Sequence, residues 1–487
     1  MRQRLINKTA PEPILSNENL ARQSMHKDNV ISLKSLLFDS GLNKENWING
    51  LKEHSKTVTA TLLNNDIEAF NQYLQNEFGS AGISSDLSTA KSQLLTMDYR
   101  PLLQEFLQLA ILIEHSTIPP YLTALYSIKD GTNLQASQII LSVAIKEMRH
   151  MIMVCNVLNA VNIQPSVNKP ENYPVYPMKL PIHADFVVDL EKFSTNSIST
   201  FIAIERPSST MVKAPESDHS TEKTALFSRG MPESTNFWTV ESLKEFLQKD
   251  VHSIGEFYDV LFFYIVIFQI ITFYKTHGRL PELFEELNRE GIFTGDPARQ
   301  IRPEHYYGSD GKLHSVEDLW GVIEVFQEIK GQGQGEGVDD MIFNVDPSQF
   351  EENVELAHYF RFKEVLHGHF YIGGNYDPFK DNQRMIPVTT RPLGKDFPVD
   401  WNATYPMKTN VKLADYQYNL QLYAQAKAFN ITYKKLLDTI QVAVEGRAEE
   451  LQKSVIYMYA LKEQAVELMK QPLNGQENAG PTFEYPV

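Results

Sequence analysis

The chain has 487 residues, of which 42% are hydrophobic and 22% are charged. This usage is ordinary for a globular protein and excludes a collagen-like, a disordered or a coiled-coil chain. Because 45 basic and 61 acidic residues leave a net charge of −16, the surface repels phosphates and anionic lipid, and we expect neither nucleic acid nor a membrane as a partner. The single cysteine, Cys155, excludes an internal disulfide and a cysteine-based zinc site, and it favours a reducing cytoplasm.

The N-terminal part of the chain carries weak signals. Residues 1–28 are polar and mixed in charge, so we expect a flexible tail without the apolar run of a secretory signal. Residues 29–95 show short helical patterns and predict an N-terminal helical extension.

Residues 96–370 carry four stronger helical patterns. Apolar residues at three- and four-residue spacing predict helices that start near Asp98, at about 134–161, at about 253–275, and from Asp346 to near Gly368. The apolar stretch 260–274 contains Gln269 and is too short to span a bilayer, so we interpret it as a core helix. Two long insertions, 161–238 and 276–346, separate the helices. The polar segment 207–236 inside the first insertion is expected to be a mobile lid.

The C-terminal part, 371–487, predicts an irregular segment followed by a helical hairpin at about 411–443 and 447–470, hinged at Gly446. The whole chain is therefore predicted to be mainly α.

Acidic and imidazole side chains recur inside these apolar helices. Because residues three apart share one helix face, Glu147 converges with His150, and Glu355 converges with His358. Two such Glu-x-x-His pairs, together with one Glu from each of two further helices, form the ligand set of a dinuclear metal site in a ferritin-like four-helix bundle. Glu114 and Glu256 stand in the two other apolar helices. Carboxylate and imidazole ligands without thiolate favour iron or manganese, and we expect two ions.

The ordinary interpretation has weight, because a lone glutamate is more often a surface or ion-paired residue than a ligand. About one Glu-x-x-His is expected by chance in a chain of this kind, and the sequence contains four. The pair at 216/219 lies in the polar loop. The pair at 364/367 ends beside Gly368 and faces away from the pair at 355/358. The pattern across four helices favours metal binding.

Several segments resemble the ferritin-like domain of iminophenylpyruvate dimer synthases, enzymes of violacein and related bisindole pathways. The resemblance covers about residues 95–485, and its first two segments are the most specific. The similar segments are Leu112-Ile-Glu-His-Ser-Thr-Ile-Pro-Pro-Tyr-Leu-Thr-Ala-Leu-Tyr126, Lys146-Glu-Met-Arg-His-Met151, Phe201-Ile-Ala-Ile-Glu-Arg-Pro207, Ser253-Ile-Gly-Glu-Phe-Tyr258, His358-Tyr-Phe-Arg-Phe-Lys-Glu364 and Ala479-Gly-Pro-Thr-Phe-Glu-Tyr485. The resemblance implies an oxidative enzyme of specialised metabolism.

Two further residues are candidates for a catalytic role. Glu205 lies at a predicted helix end within one of the similar segments. It would be a further metal ligand, a catalytic base, or an ion-pair partner of Arg206. Arg361 lies one turn after His358 and would either hold a substrate carboxylate or pair with Glu364.

The sequence thus predicts a di-iron or iron–manganese enzyme that uses O₂ or peroxide on a small amino-acid-derived substrate. A ferroxidase or iron-handling protein, and a scaffold with a purely structural metal, are the alternatives. The long insertions favour the enzyme, since a minimal storage bundle does not need them. The sequence is compatible with a homo-oligomer.

Overall fold

The computed structural model describes residues 44–58, 67–78, 98–207, 247, 251–278, 281, 284–306, 313–333, 342–343, 355–371 and 392–486. The predicted tail 1–28 and nearly all of the predicted lid 207–236 lie outside these residues. The chain divides into two compact units, Met1–Leu94 and Leu95–Val487. Within the first unit, helices α1 (Lys44–Val58) and α2 (Ile67–Phe78) are linked by a hydrogen bond of 2.8 Å between His54 Nδ1 and the Tyr73 hydroxyl.

The second unit is built on two long helices, α3 (Arg100–Ser127) and α4 (Leu134–Ala160). Both lie where the apolar spacing predicts them. Pro101 occupies the first turn of α3, where no backbone N–H is needed, and the helix continues through Pro119 and Pro120. Most side chains of α4 from Ile139 onward are buried, so this pair of helices forms the centre of the core.

The first insertion contains a small antiparallel hairpin and a short helix. Strands β1 (Met178–Leu180) and β2 (His183–Val188) pair with Met178 opposite Val188. Helix α5 (Thr195–Ile204) follows, and the side chains of Ser194 and Ser197 close a capping box at its start. The helix ends at Glu205.

Helix α6 (Ile254–His277) is the most apolar helix among the described residues, with Ser253 as its N-cap and Gly278 as its left-handed C-cap. It is long and apolar enough to cross a membrane by composition alone, but 83% of its most apolar window is buried inside the protein. The predicted core helix is therefore confirmed. Helices α7 (Phe284–Arg289) and α8 (Leu319–Gly333) follow. Helix α8 includes Gly331 and Gly333.

The prediction of one long helix from Asp346 to Gly368 is wrong at Glu355–Leu356, whereas its last part, from His358 onward, is helical as predicted. Strand β4 (Glu355–Leu356) pairs with strand β3 (Ile342–Phe343), and helix α9 spans only His358–His367. The helical spacing before His358 is overridden because strand pairing satisfies the backbone of Glu355 and Leu356, a contact that local propensity cannot report.

The C-terminal hairpin has the predicted form. Helices α10 (Leu420–Val444) and α11 (Ser454–Met469) are joined through Gly446, whose φ of +111° suits a residue without a side chain, and through a 3₁₀ turn at Ala448–Lys453. Helix α10 starts later than predicted, at the cap Asn419.

Candidate metal centre

Five buried acidic and imidazole side chains meet in two groups within the second unit. Glu114, Glu147 and His150 form the first group, and Glu147, Glu205 and His358 form the second. Within each group, one potential ligand atom from every residue lies within 4.8 Å of the others. Glu147 belongs to both, so the groups adjoin. None of the five residues exposes more than 3% of its surface.

Four elements bring these side chains together. Glu114 comes from α3, and Glu147 and His150 come from one face of α4, since they are three residues apart. Glu205 is the C-cap of α5, and His358 is the first residue of α9. The C-terminal end of α5 and the N-terminal end of α9 thus each supply one potential ligand. Two long bundle helices were predicted to supply these ligands.

The imidazole nitrogens and carboxylate oxygens of each group lie close together. His358 Nδ1 lies 2.7 Å from Glu147 Oε1 and 3.8 Å from Glu205 Oε2. His150 Nδ1 lies 3.5 Å from both Glu114 Oε2 and Glu147 Oε1. The two imidazole rings stack with their centroids 5.6 Å apart.

The donor set fits metal ions better than it fits internal hydrogen bonding. Glu147 Oε1 and both ring nitrogens of His358 are buried without a hydrogen-bond partner. An orphaned buried polar atom is costly unless something else satisfies it. Atoms that lie 2.7 Å apart without hydrogen-bond alignment are placed as ligands of one ion would be.

The pKa values of the buried groups also favour metal binding. Burial raises the pKa of the Glu147 carboxyl well above its usual range, the nearby carboxylates of Glu205 and Glu114 raise it further, and His150 opposes the rise. Burial also lowers the pKa of His358. Three adjacent buried carboxylates need a compensating positive charge, which divalent cations provide.

Hydroxyl groups donate hydrogen bonds to all three carboxylates. Tyr258 donates to Glu114 Oε1 and Tyr121 donates to Glu205 Oε1, each at 2.5 Å, while Thr117 donates to Glu147 Oε2 at 3.2 Å. Burial and the nearby carboxylates raise the pKa of both tyrosines well above 10, so both keep their protons and act as donors. Such partners orient the ligands of metal sites.

A glutamine from α8 fixes the tautomer of His150. Gln332 Oε1 lies 3.2 Å from His150 Nε2 and also accepts from Arg149 Nη2, while Gln332 Nε2 donates to Glu328 Oε1 at 2.5 Å. An amide oxygen only accepts, so Nε2 carries the proton and Nδ1 stays available as a ligand. No sequence pattern marks this glutamine as functional, because it stands in a glycine-rich run.

The structure brings together four of the six predicted ligands, namely Glu114, Glu147, His150 and His358, and adds Glu205. Glu256 lies outside both groups. It is only half-buried in the first turn of α6, where its Oε2 accepts from the His252 amide at 2.8 Å. A carboxylate in the first turn of a helix accepts hydrogen bonds from free backbone N–H groups. Glu256 therefore caps α6 and is not one of the grouped potential ligands.

Glu355 does not share a helix with His358, because it lies in β4. The argument from three-residue helical spacing therefore fails for this pair. The side chain of Glu355 lies outside the described residues.

Arg361 pairs with Glu364 at 3.1 Å, and Glu364 also accepts from the Tyr371 amide. A substrate-binding role for Arg361 stays a prediction.

A small pocket lies beside the two groups. Its walls include the first turn of α6 and the last turn of α8. The lining residues are Glu114, Glu147, His150, Glu205, Ile254, Gly255, Ile329, Lys330 and Gly333.

A helical bundle with buried Glu and His groups that suit metal binding defines the class of this protein. The ferritin-like family model matches residues 107–367, more than half of the chain, and the chain belongs to the ferritin-like family. That superfamily includes di-iron enzymes.

A crystal structure of a ferritin-like protein from Caulobacter vibrioides is similar at 19% sequence identity and a TM-score of 0.41, and the match covers 79% of this chain and 98% of that one. None of the curated proteins matches the sequence.

Proposed function

We propose that this protein is a di-iron or iron–manganese enzyme that uses O₂ or peroxide to oxidise a small amino-acid-derived molecule. The observation that carries the proposal is the pair of buried groups that share Glu147. A shared carboxylate between two sets of ligands suits two neighbouring ions.

The donor chemistry supports iron or manganese. The two groups, as described, offer carboxylate oxygens and imidazole nitrogens without a thiol, which suits these ions and not a structural zinc site. Glu114, Glu147 and His150 would hold one ion, and Glu147, Glu205 and His358 the other. When bound, the metal pair supplies the redox chemistry with O₂ or peroxide that side chains lack.

The protein's own residues would orient the substrate and exclude water. Tyr258, Tyr121 and Gln332 hold ligand side chains in place through the hydrogen bonds described above, and Ile254 and Ile329 give the pocket apolar walls. A small pocket in direct contact with the metal ligands supports an enzyme over a storage protein. The resemblance to iminophenylpyruvate dimer synthases supports an amino-acid-derived substrate.

Oxygen uptake separates the enzyme from its alternatives. The protein, loaded with Fe(II), is placed in an oxygen electrode with a panel of amino acids and their 2-oxo acids. The proposal expects O₂ consumption that continues with one substrate class and yields an oxidised product by mass spectrometry. Glu256→Gln should behave as the wild type, because this carboxylate lies outside both groups.

Two other outcomes contradict the proposal. A burst of uptake that scales only with added Fe(II) would identify a ferroxidase. Bound metal without any O₂ uptake would identify a structural site.

A further inference from the structure

Arg149 and Glu328 form a buried ion pair next to the candidate metal centre, although neither belongs to the two groups of potential ligands. Arg149 is 0% exposed and Glu328 is 7% exposed. Arg149 Nη2 lies 3.5 Å from Glu328 Oε1. The pair joins α4, which carries Arg149 directly before His150, to α8, which carries Glu328.

The contribution of this pair to stability does not explain its presence. Arg149 Nε and Nη1 are buried without a hydrogen-bond partner in the described part of the chain. The removal of two charges from water costs free energy, and a buried ion pair with incomplete hydrogen bonding regains little of it. The groups that the pair contacts therefore indicate its role.

Both members of the pair are bonded to the side-chain amide of Gln332. Arg149 Nη2 donates to Gln332 Oε1, and Gln332 Nε2 donates to Glu328 Oε1 at 2.5 Å. A guanidinium only donates, and an ionised carboxylate only accepts. Rotation of the amide by half a turn would place its NH₂ group against the guanidinium and its oxygen against the carboxylate. Both contacts would then be repulsive, so the pair permits one orientation of the amide.

This orientation decides which ring nitrogen of His150 carries the proton. The amide oxygen of Gln332 faces His150 Nε2 at 3.2 Å, so Nε2 donates. An amide NH₂ group in its place would need Nε2 as an acceptor, and the proton would move to Nδ1. His150 Nδ1 is the atom that lies 3.5 Å from both Glu114 Oε2 and Glu147 Oε1, and a protonated nitrogen cannot bind a metal.

We propose that Arg149 and Glu328 are a positioning pair that selects the ligand atom of His150 through the amide of Gln332. The pair acts on a neutral ring and changes the place of a proton, not the number of protons. This inference rests on the proposed function for the role of His150 as a metal ligand, but the tautomer is measurable without metal.

The test is nitrogen NMR of the metal-free full chain with ¹⁵N-labelled histidine, at about pH 8, where an ordinary imidazole is neutral. His150→Gln identifies the signals of His150 by their loss. We expect the wild type to show one protonated ring nitrogen, Nε2, and one unprotonated nitrogen, Nδ1.

The double variant Arg149→Met/Glu328→Gln removes both charges together, so it leaves no uncompensated charge in the core. Its new amide at position 328 suits either orientation of Gln332. We expect the two tautomers of His150 to mix, and the shifts of the two ring nitrogens to approach each other. Arg149→Met/Glu328→Met replaces the pair by apolar side chains, a change that often leaves stability intact, and it should give the same result if the first variant folds poorly.

Metal affinity should follow the NMR result quantitatively. Because only the tautomer with the proton on Nε2 offers Nδ1 to a metal, the apparent affinity falls by the inverse of its population. An equal mixture should weaken binding about twofold, measured by competition with a chromophoric chelator.

An ion pair between Lys330 of α8 and Asp259 of α6, with an N–O distance of 2.5 Å, offers a matched control. Lys330→Met/Asp259→Asn removes a pair of charges from the same helix without touching Gln332. It should leave the ring nitrogens of His150 as distinct as in the wild type.

A proton on Nδ1 in the wild type would overturn the proposal, as would a single Nε2 tautomer in both double variants. A pair that only stabilised the fold would lower the melting temperature without mixing the tautomers. If the wild type binds no metal but the tautomers respond as expected, the proposed function fails and this inference stands. If the wild type binds metal but the double variants keep one tautomer, this inference fails alone.

Discussion

Gln332 sets the tautomer of His150 in the candidate metal centre through one hydrogen bond. Because its amide oxygen keeps the proton on Nε2, His150 presents Nδ1 to the position of a metal. Gln332→Met keeps the length of the side chain but removes this acceptor. We expect about a 10- to 100-fold loss of metal affinity, measured by competition with a chromophoric chelator.

Gln425 accepts a hydrogen bond from Gln471 at 2.8 Å and provides the control. Gln425→Met should leave the affinity unchanged. If both variants bind metal as tightly as the wild type, His150 does not depend on Gln332.

Tyr258 contributes to stability as well as to ligand orientation. Tyr258→Phe removes the hydroxyl that donates to Glu114 and leaves a buried carboxylate oxygen with one partner fewer. In the metal-free protein this should lower the free energy of unfolding by about 1–3 kcal/mol, measured by guanidinium titration. Tyr173→Phe is the comparison, because the Tyr173 hydroxyl is buried without a partner in the described part of the chain. Equal losses in both variants would refute a specific role of the Tyr258 hydrogen bond.

At the residue scale, the sequence predicts ligands well where one helix carries two of them. Glu147 and His150 follow from their spacing alone. The choice between Glu256 and Glu205 does not, because it depends on which helix end reaches the core. Glu205 terminates α5, a helix inside an insertion, and no local pattern separates that carboxylate from an ordinary helix cap.

At the element scale, α5 depends on its capping box to bring Glu205 to the centre. The Ser194 hydroxyl accepts from the Ser197 amide at 3.0 Å. Ser194→Ala should cost about 1 kcal/mol of stability and should weaken metal binding, because the helix carries Glu205 at its end. Thermal unfolding and a chelator titration measure the two effects.

Ser199 lies on the exposed side of α5. Its change to alanine should alter stability by less than about 0.5 kcal/mol. If Ser194→Ala is no more harmful than Ser199→Ala, the cap does not control the position of Glu205.

The helices themselves were predictable because each has a strong apolar period and clear terminal signals. α4 and α6 lie within a few residues of their predicted bounds. The two helices of the C-terminal hairpin end close to their predicted ends but start later, at Leu420 and Ser454. The segment before α9 was not predictable, because Glu355–Leu356 pairs with a separate segment, Ile342–Phe343, that lies outside the reach of a local helical pattern. The predicted placement of Glu355 on a helix failed for this reason alone.

At the scale of the whole molecule, metal binding should be coupled to folding of the second unit. The five ligands come from α3, α4, α5 and α9, and ions that bind only the folded state stabilise it. Removal of metal by chelation should therefore lower the melting temperature, and Fe(II) or Mn(II) should restore it. The shift should become smaller in His358→Ala, which removes one ligand of the second group only. An identical melting temperature with and without metal would contradict this coupling.

Metal stoichiometry decides whether Glu147 joins two metal-binding groups. Elemental analysis of the purified, reconstituted protein should find close to two ions of iron or manganese per chain. Glu147→Gln keeps the shape of the shared side chain but removes its charge, and it should lose at least one of them. Glu256→Gln should retain both. A wild-type protein that binds neither metal, or a Glu147→Gln variant with unchanged metal content, would contradict the assignment.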